Sequence, residues 1–300
     1  MGRSEITPTI IANTLYVTDL DGTLLNGNSQ LSEESAFLLN QAISLGANIT
    51  VATARTPATV SILLKDVDLK LPAIVMTGAA LWDKHYHKYE NVQFIEPKTV
   101  GKLKKIYCNE NLPVFIYTLK ENIIEILHIG ELSEIEKIFI GERAQSQFKR
   151  FNSFCSESDV SDTLDNVMLF YAMQPSNDVR RTYNRIKNIS EINPVFYHDI
   201  FGPETGILEV FSRTTSKARA IKYLSNKFGF KRIIVFGDNI NDLPMMQIAT
   251  HSIAVGNAID EVKNAADEVI GTNSENAVAN WILDDIKSLA RNNQLFSNVE

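Results

Sequence analysis

The stretch TLYVTDLDGTLL (14–25) carries an apolar run straight into two aspartates and a glycine. Leu15, Tyr16 and Val17 read as a short strand buried on both faces, and such strands belong to parallel sheets covered by helices. Asp19 and Asp21 follow two positions apart, so on an extended chain their side chains share a face. Open sheets of that kind bind ligands beyond the carboxyl ends of their strands. A turn-forming role for DLDG is the plainer alternative, and what stands at the other strand ends decides between them.

The same alternation continues on both sides of a long middle segment. Ser32 opens a helix as N-cap, with Glu33 and Glu34 in the first turn, Phe37, Leu38, Ala42 and Leu45 at helical spacing, and Gly46 as the stop. NITVAT (48–53) is a second strand, Thr56-Pro57 starts a helix, and PAIVMTG (72–78) is a third strand. Toward the C-terminus, SKARAIKYLSNKFGF is a helix with Ile221, Leu224 and Phe228 on one face. RIIVFGD (232–238) is a near-continuous apolar strand, and HSIAVG and DEVIG are two more around the helix AIDEVKNAA. Strands separated by amphipathic helices make βαβ units and a parallel sheet, the α/β class.

The middle is different. VFIYTLKENIIEILHIG (114–130) reads as two strands about Lys120-Glu121-Asn122, and NVMLFYAMQ (166–174) as another. Residues 194–212 read as a hairpin turning at Gly202-Pro203, with helices near Thr99–Asn109 and Asn177–Ile189. An α+β segment is thus expected inside an α/β domain.

The strand ends supply the chemistry. The first gives Asp19 and Asp21, the second Thr53, and the strand 232–236 gives Asp238 with Asn241 and Asp242 just beyond; Lys217 starts the helix before it. Clustered carboxylates raise one another's pKa unless a cation joins them. Oxygen donors with no histidine or cysteine nearby select Mg²⁺ over zinc, and Mg²⁺ is usually completed by water and a phosphate oxygen. Carboxylates, lysine and Mg²⁺ together suit phosphoryl transfer, which needs positioning and charge neutralisation above all. One aspartate can attack phosphorus while the other moves a proton to and from the reacting oxygens. Gly22 permits a close turn whose N–H groups can hold phosphate oxygens.

These motifs resemble those of the haloacid dehalogenase superfamily. DLDGTLL (19–25) is similar to its first motif, VATAR (51–55) to its second, Lys217 to its third and GDNINDLPM (237–245) to its fourth. With AVGNA and AADEVI beyond, the set resembles the Cof-type phosphatases, which carry a type IIB cap. The resemblance implies a Rossmann-like doubly wound parallel sheet as catalytic core, roughly 1–84 and 212–300, with an inserted α+β cap for substrate specificity at roughly 85–211. It implies Asp19 as nucleophile, Asp21 as general acid/base, and Lys217 as the lysine that neutralises nucleophile and phosphate. It implies Thr53, Asn241 and Gly78 around the phosphate. Mg²⁺ would be held by Asp19, the Asp21 carbonyl, Asp238 and Asp242, the last of which could instead support Lys217. The sequence departs from the family pattern at Ala54 and Ala218, where glycine is usual, and at Thr77, where asparagine is common.

The implied activity is hydrolysis of a small phosphorylated metabolite, a sugar phosphate first of all, through an aspartyl-phosphate; a closing cap suits small soluble substrates. A phosphomutase of the phosphomannomutase kind shares the cap type and both aspartates. A non-catalytic sugar-phosphate-binding protein would have lost motif residues that are all present here. The net charge of −7 argues against a nucleic-acid partner. No apolar run reaches membrane-spanning length, no signal-peptide core is visible, and Cys108 and Cys155 fit no metal or disulfide pattern. A cytoplasmic protein with no membrane partner is therefore expected, its oligomeric state open. Asn257 is expected as an N-cap, Gly237 as a turn former, and His85 and His87 as a solvated pair on one strand face. Tyr197, His198 and Glu204 on the expected cap hairpin are candidates for substrate contact.

Overall fold

The computed structural model describes residues 10–143, 146–152, 164–198, 202 and 204–297. The chain divides into two compact units, Met1–Glu90 with Ser216–Glu300, and Asn91–Thr215. The first unit opens with β1 (Thr14–Thr18), α1 (Glu33–Ser44), β2 (Asn48–Val51), α2 (Pro57–Leu63), β3 (Ala73–Val75), β4 (Ala80–Asp83) and β5 (Lys88–Glu90). The second contains α3 (Pro97–Asn109), β6 (Val114–Lys120), β7 (Ile123–Ile129), α4 (Glu134–Arg143), β8 (Lys149–Phe151), β9 (Val167–Pro175), α5 (Ser176–Ile186), β10 (Ile192–His198) and β11 (Thr205–Ser212). The first unit resumes with α6 (Lys217–Phe228), β12 (Arg232–Gly237), α7 (Leu243–Met246), β13 (His251–Ala254), α8 (Asp260–Ala265), β14 (Glu268–Val269) and α9 (Ala277–Ser297).

The expected α/β architecture is present. Strands β14-β13-β12-β1-β2 form a sheet that is parallel throughout, and β3 joins its edge through a parallel bridge between Ala52 and Ile74. Every residue of β1 is buried, as a central strand between two helical layers requires. The chain leaves β1 toward β2 on one side and returns beside it as β12 on the other, so strand order reverses between β1 and β12. Thr18 lies opposite Phe236, and residues 19 and 238 therefore emerge side by side at a topological switch point.

The helices form where their caps place them. Ser32 Oγ accepts from Ser35 N–H at 2.9 Å, and Gly46 stops α1 at φ +98°. The buried face is turned from the expected one, however. Ala36, Leu39 and Ala42 are buried, whereas Phe37 is 61% and Leu45 47% exposed. On α6, Ile221 and Leu224 are buried but Phe228 is 46% exposed. Small side chains let α1 pack against α9, and the larger ones are left at the rim.

The third strand is shorter than expected. Only Ala73–Val75 is extended, and Met76, Thr77 and Gly78 follow with φ of +50°, +58° and +92°. A hairpin of β4 and β5, antiparallel to β3, stands where a strand carrying His85 and His87 is expected. His85 and His87 lie in its turn rather than on a strand face. His85 Nε2 is 2.8 Å from Leu69 O, and the His87 ring stacks on Trp82 at 6.0 Å.

The second unit has its own core. Six strands in the order β10-β11-β9-β6-β7-β8 form a sheet. Helices α3 and α5 cover one face, where Val100, Leu103, Tyr107, Val179 and Ile186 pack with Ile116, Phe170 and Leu208. On the opposite face Phe139 of α4 stacks on Tyr171 at 5.4 Å. The β6–β7 turn places Glu121 and Asn122 at φ +50° and +62°, which is the two-residue hairpin geometry that matches strand twist. Helix α4 and strand β8 were not anticipated. Pro203 and Cys155 lie outside the described residues.

A β-branched residue at positive φ is strained, because its Cβ crowds the neighbouring carbonyl, while asparagine tolerates the left-handed region. Thr77→Asn is therefore expected to stabilise the protein by about 1 kcal/mol, seen as a higher urea midpoint at unchanged slope. A lower midpoint would mean that contacts of the threonine side chain outweigh the strain.

Candidate active site

The end of β1 is built for close approach. Asp19 N–H donates to Phe236 O at 3.1 Å, keeping the chain on its neighbour for one residue past the strand, and Leu25 N–H closes a wide turn onto Leu20 O at 2.8 Å. Within that turn Gly22 sits at φ +77°, and a Cβ there would lie 2.3 Å from Asp238 Oδ2. Only glycine meets both demands. Thr23 Oγ1 donates to Asp238 Oδ1 at 2.7 Å, and Asn257 Nδ2 donates to Gly22 O at 2.7 Å. Asn257 thus ties the first-motif turn to Asn273 N–H, which it accepts at 2.9 Å. It is not the expected N-cap, because α8 begins only at Asp260.

Lys217 is delivered by the first turn of α6, where Ser216 Oγ caps Arg219 N–H at 3.1 Å. A cation at a helix N-terminus opposes the helix dipole, so carboxylates must hold it. Its Nζ donates to Asp19 Oδ1 at 2.7 Å and to Asp242 Oδ1 at 2.8 Å. Asp242 is fully buried, and its other oxygen accepts from the N–H groups of Asp238 and Asn239 at 3.1 and 3.2 Å. Asp242 therefore caps the turn before it and anchors Lys217 at once. Gly78 lets this helix approach, since a Cβ there would meet Ser216 O at 2.3 Å.

The remaining motif residues surround the cluster differently. Thr53 is buried, and its Oγ1 accepts from Arg55 N–H at 3.1 Å, leaving its own proton to donate. Asn241 is exposed on the turn beyond Asp238. Asp21 is half exposed, and Arg55 holds it through both oxygens, Nε to Oδ2 at 2.7 Å and Nη2 to Oδ1 at 2.5 Å. Arg55, Thr23 and Asn257 were not singled out for these roles from the sequence. The first two stand inside the quoted motifs, so the signal was present; the third needed the fold. Tyr197, His198 and Glu204 fall in the second unit.

Burial pushes the Asp19 carboxyl above its ordinary pKa, with the Lys217 ammonium pulling it back and Asp242 and Asp238 pushing it further. Burial opposes the charge on Lys217, but Asp19 and Asp242 outweigh it and hold the ammonium above its ordinary value. Burial lifts Asp238 to about 6 against the Thr23 hydrogen bond. A cation would relieve both carboxylates. One oxygen each from Asp19, Asp238 and Asp242 lies within 4.8 Å of the others. Asp242 has spent both oxygens on protein donors, whereas Asp19 and Asp238 each keep one with no protein partner among the described residues. This hard-oxygen set, with no histidine or cysteine in it, fits a cation of the Mg²⁺ kind.

The family model of haloacid dehalogenase-like hydrolases matches residues 16–282. The chain belongs to that family and is an enzyme of its phosphatase type. One relative is the 5-amino-6-(5-phospho-D-ribitylamino)uracil phosphatase YwtE of Bacillus subtilis strain 168, 27% identical over 285 residues, covering 88% of this chain and 95% of YwtE. A haloacid dehalogenase-like hydrolase from Bacteroides thetaiotaomicron shares the fold with a TM-score of 0.73 at 21% identity, over 90% of this chain and 98% of its own. The subclass IIB sugar phosphatase BT4131 shares it with a TM-score of 0.66 at 20% identity, over 90% of this chain and 97% of its own. Among the described residues no helix is long and apolar enough to cross a membrane.

The raised pKa of Asp238 gives a signed prediction. Its folded value of about 6 exceeds the ordinary 3.8, so its contribution to stability is full below the ordinary value and is lost as pH rises through the folded one. In chelator, the melting temperature is expected to fall as pH rises from 3.8 to about 6, the span between these two pKa values. Asp238→Asn should flatten that fall. An equal slope in wild type and variant would contradict the assignment.

Proposed function

We propose that the chain hydrolyses phosphate monoesters of small metabolites, sugar phosphates first, with Mg²⁺ as cofactor and a phosphorylated Asp19 as intermediate. One observation carries this reading: a carboxylate at the end of the central strand is ion-paired at 2.7 Å with a buried lysine and stands beside a second strand-end carboxylate. Asp19 attacks phosphorus, the bond from phosphorus to the ester oxygen breaks, and Asp21 gives that oxygen a proton. Water then attacks the aspartyl-phosphate, Asp21 takes its proton, and inorganic phosphate leaves as Asp19 is regenerated.

Lys217 balances negative charge on the nucleophile and the incoming phosphoryl group, and Asp242 acts through Lys217 as a positioning residue. The Thr53 hydroxyl, the Asn241 carboxamide and the N–H groups of the Gly22 turn are the donors for phosphate oxygens, with Gly78 setting the approach of α6. Mg²⁺, held by Asp19, Asp238 and the Asp21 carbonyl, supplies charge neutralisation at the phosphoryl group when bound. Proton transfer by Asp21 requires its pair with Arg55 to open. The inserted unit is the substrate-specificity cap in this reading. The name of YwtE, a phosphatase of a 5-phospho-D-ribityl compound, supports a phosphate on a polyhydroxy carbon chain as the substrate class.

Chelator is expected to abolish hydrolysis of an aryl phosphate, and Mg²⁺ to restore it; full activity after rigorous chelation would remove the metal from the scheme. The two aspartates should separate in a second experiment. Asp19→Asn should give no turnover and no adduct. Asp21→Asn should still be phosphorylated by a substrate with a good leaving group, but it should lose the base for water, worth about a hundredfold or more. Intact-mass measurement after rapid quench is then expected to show a phosphate adduct on Asp21→Asn. An adduct on Asp19→Asn, or none on Asp21→Asn, would reverse the assignment.

A further inference from the structure

We propose that the inserted unit holds an anion-binding site of its own: a cavity of about 660 Å³ where β9 ends and α5 begins, built around Arg180 and shaped for a phosphate or carboxylate group. The volume lies in the range of small-molecule sites. It opens at the end of the sheet opposite the one where the chain leaves the unit. The eight residues of β11 lie between the two ends, a span of roughly 25 Å at ordinary strand rise. None of its lining residues belongs to the Asp19–Asp238 cluster.

Arg180 carries the argument. Its neighbours on the same helix are neutralised, since Arg181 and Arg185 both pair with Glu110, at 2.8 and 3.1 Å. Arg180 has no carboxylate partner among the described residues. Its guanidinium lies over the Phe196 ring at 4.8 Å, with Nη2 3.4 Å from His198 Nε2. That contact occupies one of five donors, and the planar fork is the side chain best matched to carboxylate and phosphate. The first turn of α5 adds to it. Ser176 N–H is used on Glu204 O at 2.9 Å, and Ser176 Oγ on His198 Nδ1 at 3.3 Å, but the next N–H groups of a helix start have no helical acceptor.

The wall supplies an independent observation. Gln174 is more than nine-tenths buried and lines the cavity. Among the described residues its side chain makes a single hydrogen bond, from Nε2 to Ser133 Oγ at 3.4 Å, and its carboxamide oxygen accepts none, so that oxygen is open to a ligand or water. Glu204, exposed and also lining the cavity, makes no ion pair with Arg180. Its charge opposes an anion and so gives the site a sign that can be tested from both directions.

The test is equilibrium dialysis of inorganic phosphate against the full chain in chelator, which reads binding without turnover and so stands apart from the phosphatase reading. Arg180→Gln should weaken one phosphate-binding event by about tenfold or more, as expected for loss of a charge-assisted pair. Arg180→Lys, which keeps the charge but not the fork, should weaken it less, and Glu204→Gln should tighten it. Aryl phosphate hydrolysis by Arg180→Gln should stay within about twofold of wild type, because that probe bears no second acidic group. Two supporting outcomes distinguish the source of the anion. A KM increase in Arg180→Gln confined to substrates with a second acidic group identifies it as part of the substrate. An effect of added citrate on aryl phosphate turnover, lost in Arg180→Gln, identifies a separate effector. Superimposable isotherms for wild type, Arg180→Gln and Arg180→Lys, or weaker binding by Glu204→Gln, would overturn the proposal.

Discussion

A carboxylate buried at the end of a strand stays ionised only beside a buried cation, and here one ammonium serves two carboxylates. Lys217 lies between Asp19 and Asp242, all three sealed from solvent. Removing the lysine would leave both carboxylates as uncompensated buried charges, the costly outcome in a low-dielectric interior. The geometry around the lysine follows from this demand. The parallel pairing of β1 with β12 sets Asp19 beside Asp238, a glycine at the end of β3 admits the first turn of α6, and two backbone N–H groups fix Asp242 so that its second oxygen can face the ammonium. Arg55 treats Asp21 in the opposite manner, holding it through both oxygens where it stays half exposed to solvent.

Much of this was legible because burial on both faces and a strand-end carboxylate write themselves locally. The runs LYV and IIVF can only be central strands, and the residue types beyond them mark a ligand site whatever the fold's finer details. The failures share a cause. The face of α1 was misjudged because Phe37 and Leu45 outweigh alanines on any hydropathy reading, whereas packing against α9 rewards small Ala36 and Ala42. Strands β4, β5 and β8 span three or four residues, too few to show a period, and they exist through pairing with partners already in place. The Asn257 contact with Gly22 joins residues 235 positions apart, and no local pattern announces such a bond.

Thr77 is a different kind of departure, since the local preference and the observed backbone disagree. Three successive positive φ angles follow β3, a conformation that the neighbouring hydrogen bonds enforce: Met76 N–H to Arg55 O at 3.0 Å and Thr77 N–H to Thr53 O at 2.9 Å. These bonds tie the turn to the Thr53–Arg55 segment, so the strain is borne where the second motif and the first turn of α6 must both be held. Strain of this kind persists only where surrounding structure over-determines it.

The side chains of Gln93 and Thr214 meet at 2.7 Å, near the first and last residues of the inserted unit. The ends of a long insert are thereby brought together by the insert's own fold. To the rest of the chain it is topologically a short loop, and the entropy of closing it, which grows only slowly with length in any case, falls on the insert rather than on the parallel sheet. Such an arrangement makes the insert interchangeable. It can lengthen, shorten or be exchanged for another fold with apposed ends while β1, β12 and their carboxylates keep their places.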